Sequence, residues 1–89
     1  MNLLIKNYQG IFYVKGKIIE SNSQIFNSYV QSIFNLNQSV IINVSNVSCI
    51  DKTGINVLNS LYQKSLQKGI KFTIIGYGCK EIYDEFLAA

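Results

Sequence analysis

Apolar positions in this 89-residue chain fall in bursts whose spacing alternates between that of strands and that of helices. Leu3 to Lys6 is a short apolar run. Ile11-Phe12-Tyr13-Val14 is a β-branched and aromatic run that ends at Gly16. With the turn Asn7-Tyr8-Gln9-Gly10 between them, the two read as a hairpin. Ile18 and Ile19 belong to an exit segment. Ser21-Asn22-Ser23 then offers several helix N-caps. Ile25, Phe26, Tyr29, Val30, Ile33 and Phe34 follow at the spacing of one helix face, closed by Asn35-Leu36-Asn37-Gln38.

Val40-Ile41-Ile42-Asn43-Val44 is a nearly unbroken apolar run, the pattern of a strand buried on both faces. Ser45 to Ser48 reads as a polar connection with Val47 turned inward. A second helix is expected from about Thr53 to Lys68, with Val57, Leu58, Leu61, Tyr62 and Leu66 as its apolar stripe and Gly69 as its stop. Ile70, Phe72, Ile74 and Ile75 form another strand, closed by Gly76-Tyr77-Gly78. A last helix begins near Cys79, with Ile82, Tyr83, Phe86 and Leu87 on one side. The order is β-β-α-β-α-β-α. Strands alternating with helices imply parallel strands joined by right-handed crossovers. The expected fold class is α/β: a mixed four-stranded sheet packed with helices, in a single domain over 1–89.

Composition narrows the function. The chain is 48% apolar and 12% aromatic, enough for a core in a domain of this size. Only 15% of residues are charged, the composition of a surface covered by a partner or of a small monomer rich in Asn, Gln and Ser. The net charge of +3 comes from lysines spread along the chain, and arginine does not occur. Phosphate clamps and base readout lean on Arg forks, so nucleic acid is disfavoured as a partner. The absence of histidine removes the usual metal sites and general bases. Cys49 and Cys79 make no ligand pattern and read as free thiols, with Cys49 buried. No metal and no cofactor is expected. With five acids and neither histidine nor arginine, few catalytic groups remain, and the chain does not read as an enzyme. The N-terminus lacks the pattern of a signal peptide, and no apolar run approaches a membrane span. A cytoplasmic location without membrane insertion is expected.

The stretch from Val40 to Gly76 carries a resemblance. An apolar strand (Val40–Val44), a short loop, the tetrapeptide Asp51-Lys52-Thr53-Gly54, a helix ended by Gly69 and a strand ended by Gly76 resemble the hallmark of the STAS domain. That family includes anti-anti-sigma factors and the tails of sulphate transporters. Upstream, Val14-Lys15-Gly16-Lys17-Ile18 is similar to the family's second strand. Family members usually run on into another strand and a helix, whereas this chain stops at Ala89. Either the chain is a minimal member, or its exposed sheet edge is covered by a partner or by a second copy in a homodimer. The family's phosphoacceptor is the residue after the Asp. Here that residue is Lys52, which has no hydroxyl.

The tetrapeptide has a reading of its own. Asp51 can cap the helix and suits the positive end of its dipole. Thr53 lies in the first turn, and Gly54 allows a close backbone approach. The bland alternative is that Asp51 is only a cap and Gly54 only a packing residue. The resemblance implies a protein-docking surface, with an anti-sigma factor that is also a serine kinase as partner. The residues it points to are Asp51, Lys52, Thr53 and Gly54, with Asn56, Asn59 and Gln63 on the following helix. Lys52 implies docking that phosphorylation at that position does not switch, or preference for a partner with an acidic patch. Thr53 is the remaining hydroxyl for a phosphate. The rival reading is an accessory subunit of a membrane transport complex. Gly76-Tyr77-Gly78 reads as turn chemistry, since a lone Gly-x-Gly on the last strand says little about phosphate. Tyr8 and Tyr77 are the tyrosines expected to be exposed. Lys64, Lys68 and Lys71 read as a solvated cluster at the end of the second helix.

Overall fold

In this computed structural model residues 3–87 are described, with side chains from 3 to 86. The elements are β1 (Leu3–Tyr8), β2 (Ile11–Ile18), α1 (Glu20–Phe34), β3 (Val40–Ile50), α2 (Lys52–Lys68), β4 (Phe72–Ile75) and α3. The last is a helical turn over Lys80–Ile82 that continues as a π-helical turn over Tyr83–Leu87. This is the expected order. The sheet runs β1-β2-β3-β4. β1 is antiparallel to β2, while β2/β3 and β3/β4 are parallel.

Alternation along the strands assigns the two faces of the sheet. Phe12, Val14 and Ile18 of β2 and Val40, Ile42 and Val44 of β3 are buried. The register sets Phe12 against Ile42, and Phe72 and Ile74 of β4 against Val40 and Ile42. Phe26, Val30, Ile33 and Phe34 of α1, Val57, Leu58 and Leu61 of α2, and Ile82 of α3 complete one core with them. Phe34 meets Phe72 edge to face, with centroids 6.0 Å apart. The helices thus cover one face. Tyr13, Lys15 and Lys17 on the other are exposed.

Several sequence expectations need correction. The hairpin turn is tighter than expected, because Tyr8 pairs with Ile11 and leaves only Gln9 and Gly10 between the strands. Both have positive φ, 51° and 85°, as the twist of a two-residue hairpin demands. α1 begins at Glu20, ahead of the Ser21-Asn22-Ser23 candidates. Asn22 acts from inside the helix: its Oδ1 accepts the Ile19 N–H (3.0 Å) and its Nδ2 donates to the Lys17 carbonyl (2.9 Å).

The polar run Ser45–Ser48 is strand, not connection. β3 continues through it to Ile50, with Val47 turned inward as expected. Extra residues are absorbed by register shifts opposite Tyr13–Lys15 and Gly16–Lys17. At the first, the Ser45 N–H donates to Asn43 Oδ1 at 2.8 Å. Cys49 is exposed, not buried, because it pairs with Lys17 beyond the second shift. Ile25, Tyr62 and Leu66 are also exposed. The inner faces of the helices take Ser23 and Ser65 instead. The Ser65 hydroxyl stays satisfied by donating to the Tyr62 carbonyl at 2.6 Å. Tyr8 and Tyr77 are exposed as expected. Lys64 is less free than expected, since its Nζ donates to Gln31 Oε1 at 2.9 Å.

Candidate partner-docking site

Asp51 ends β3 and begins α2, and its carboxylate caps two helices at once. Oδ1 accepts the Gly54 N–H of α2 at 2.9 Å. Oδ2 accepts the Glu20 N–H, the first of α1, also at 2.9 Å. The Asp51 N–H donates in turn to the Ile18 carbonyl at 3.2 Å. Two positive helix ends and one anion therefore meet at the carboxyl ends of β2 and β3. The Gly54 N–H is the largest cause that holds the Asp51 carboxyl below its ordinary value of 3.8, with the Glu20 N–H acting the same way. The second cap is invisible to local sequence reading. It joins residues 31 positions apart.

Gly54 is buried, so it does not face a visitor. A Cβ there would lie 2.5 Å from the Ile18 carbonyl oxygen and 2.6 Å from Ile50 Cγ1. The close approach anticipated from this glycine is to the chain's own β2 and β3. Lys52 is exposed, and Thr53 is half-buried. Asn56, Asn59 and Gln63 are exposed along the outer ridge of α2. Among the described residues their side chains take part in no hydrogen bond.

Two shallow clefts border this ridge on the side of α3. One, of about 350 Å³, is lined by Asp51, Lys52 and Ile55 with Lys80, Glu81, Asp84 and Glu85. The other, of about 390 Å³, is lined by Asn59, Tyr62, Gln63 and Glu85 with Phe72, Ile74 and Phe86. The structure thus brings Asp51, Lys52, Asn59 and Gln63 together along cleft walls, sets Asn56 on the open ridge, and places Gly54 underneath. Sequence reasoning missed the α3 carboxylates and the apolar wall, which become neighbours of the loop only through the fold. The amphipathic pattern of the last helix was their only trace. These acids also reverse the local charge inferred from Lys52 alone, since four carboxylates line the first cleft against Lys52 and Lys80. Lys80 is itself engaged by Asp84, whose hydrogen bond raises the ammonium pKa. Among the described residues no group of acids or cysteines is placed to hold a metal ion.

Fold and site together define a small α/β domain with a doubly capped loop at the carboxyl ends of its parallel strands. The chain belongs to the STAS domain family, whose model matches residues 2–80. An anti-sigma factor antagonist from Mycobacterium paratuberculosis superposes with a TM-score of 0.66 at 16% identity, over 92% of this chain and 74% of that one. An antisigma-factor antagonist STAS domain from Rhodobacter sphaeroides does so with a TM-score of 0.60 at 18% identity, over 83% and 84%. The murine Solute Carrier 26 family member A9 anion transporter matches with a TM-score of 0.68 at 20% identity. That match covers 94% of this chain but only 14% of the transporter. At these identities the likeness is one of fold. No curated protein matches the chain in sequence.

Proposed function

We propose that this STAS domain is a protein-binding regulatory module of the anti-sigma factor antagonist kind, acting in the cytoplasm without chemistry of its own. It docks on an anti-sigma factor of the serine-kinase type through the Asp51–Gly54 loop and the outer ridge of α2. The observation that carries the reading is the doubly capped loop. Asp51 fixes the backbone by bonds to two helices, so Lys52 is displayed in a defined place beside Asn56, Asn59 and Gln63. A rigid display of unsatisfied polar groups next to a cleft with one apolar wall costs little ordering on binding. The likeness to two anti-sigma factor antagonists supports the choice of partner class. Lys52 keeps a fixed positive charge where a phosphate would otherwise be added, so docking is constitutive at that position. The carboxylates of α3 favour a partner whose contact surface is basic, which replaces the acidic patch expected from Lys52 alone.

The second reading is an accessory STAS subunit of a membrane transport complex. The superposition on the Solute Carrier 26 transporter favours it.

Affinity purification of the tagged protein from its host, followed by mass spectrometry, separates the two. The proposal expects a serine-kinase-like anti-sigma factor with the wild type. It expects loss of that protein with Asn59→Lys/Gln63→Lys, which alters only exposed side chains and sets positive charge against a basic partner. A transporter subunit lost with the same variant would replace the proposal by the second reading. Capture unaffected by the variant would remove this surface from consideration. A phosphate on Thr53 in the host would overturn constitutive docking.

A further inference from the structure

The fold sorts the charges of the chain into two layers. Glu20, Asp51, Glu81, Asp84 and Glu85, all the acids, belong to the helices or their caps. Four of the eight lysines accompany them, so the helical side carries a net charge of −1. The other four lie with the open sheet face. Lys6, Lys15 and Lys17 alternate with inward residues on β1 and β2. Lys71 is exposed between the buried Ile70 and Phe72. That face therefore carries +4 with no acid, although the chain as a whole carries only +3.

Apolar and aromatic groups sit among these cations. The β1/β2 register sets Leu4 beside Lys15 and Tyr13 beside Lys6. Leu4 is 48% exposed and Tyr13 37%. The relief is slight: a depression of about 160 Å³ lies between Leu4, Lys6, Tyr13 and Lys15.

We infer that this open sheet face docks on an anionic bilayer surface, with the lysines over lipid phosphates and Leu4 and Tyr13 at the headgroup level. Three features select a lipid surface over other anions. The cations are all lysine, a point charge without the fork that Arg brings to phosphodiesters and protein hot spots. Lysine is depleted in protein–protein interfaces but effective against anionic lipid, at about 1 kcal/mol for each one near the surface. A shallow face with a tyrosine and a leucine among lysines combines the apolar and electrostatic parts of interfacial binding. The inference is independent of the docking role of α2, which lies on the opposite side of the sheet.

Vesicle co-sedimentation tests it, with phosphatidylcholine alone and with phosphatidylcholine containing about one-third phosphatidylglycerol. Binding is expected to the anionic vesicles only. It should fall steeply between about 0.1 M and 1 M salt, where the screening length shrinks from ~10 Å to ~3 Å. Lys6→Gln/Lys15→Gln should weaken it about twenty-five-fold, the product of roughly five-fold per lysine. Lys17→Gln/Lys71→Gln should act alike, which guards against a folding defect in the first pair. Lys64→Gln/Lys68→Gln removes the same charge from the helical side and should change binding less than two-fold. Four results would overturn the proposal: no sedimentation with anionic vesicles, equal binding to neutral ones, equal loss from both sides of the molecule, or displacement from vesicles by a single-stranded oligonucleotide.

Discussion

Asp51 does more than a helix cap ordinarily does. Its two oxygens hold the first turns of α1 and α2 against each other. Asp51→Ala should therefore remove both caps and lower Tm by roughly 5–10 °C, read by circular dichroism. The pH dependence follows from the depressed carboxyl. A group whose folded pKa lies below its ordinary value of 3.8 stabilises the fold fully above that value. The contribution is lost as pH falls through the lower, folded-state pKa. Asp51→Asn keeps the shape without the charge. The stability gap between wild type and this variant should be flat from neutral pH down to about pH 5 and should close in acid below the ordinary carboxylate value. A gap that persists unchanged in acid would contradict the charge-based account. Gly54 makes the opposite point about residue type. Alanine is the better helix former by about 1 kcal/mol, but its Cβ would strike the Ile18 carbonyl. Collision should win, and Gly54→Ala should lose about 1–3 kcal/mol in urea denaturation.

Among the elements, α3 has the slightest attachment. Ile82 is fully buried, Phe86 only partly, and Tyr83 stacks on Tyr77 with centroids 4.8 Å apart. The Lys80–Asp84 pair is exposed on both sides and adds little. Ile82→Ala should cost about 2–4 kcal/mol. In hydrogen exchange it should release residues 80–86 before the sheet responds. Concerted loss of protection across the whole chain would instead mean that α3 folds as one unit with the rest. The elements also show where pattern reading succeeds and where it stops. α2 was legible almost to the residue, because Asp51 and Gly69 mark its two ends with local chemistry. β3 was legible only to Val44. Its second half is a polar run, and it is strand because β2 offers hydrogen bonds along its full length.

Taken whole, the molecule is a sheet with one covered and one open face, and protection should follow that layout. β2 and β3 are central and should exchange slowest, while β1 and β4 are edges and should exchange first. The open face also accounts for residues that pattern reading placed wrongly. Cys49 follows an apolar stretch in sequence, yet its register beside Lys17 turns it outward. Charge behaves likewise. In one dimension the lysines look dispersed, whereas in three dimensions half of them share a surface with no acid.

Hydrophobic period, turn residues and capping residues act over a few positions, so the chain alone determined its elements, their order, its α/β class and the place of the capped loop. Tertiary structure alone decided that Asp51 ties α1 to α2, that Gly54 faces inward, that α3 rings Lys52 with carboxylates and that the cations gather on the open sheet. Each of these joins residues far apart in sequence. Such contacts are set by strand register and by which face each helix covers, and neither leaves a mark within a local window of sequence.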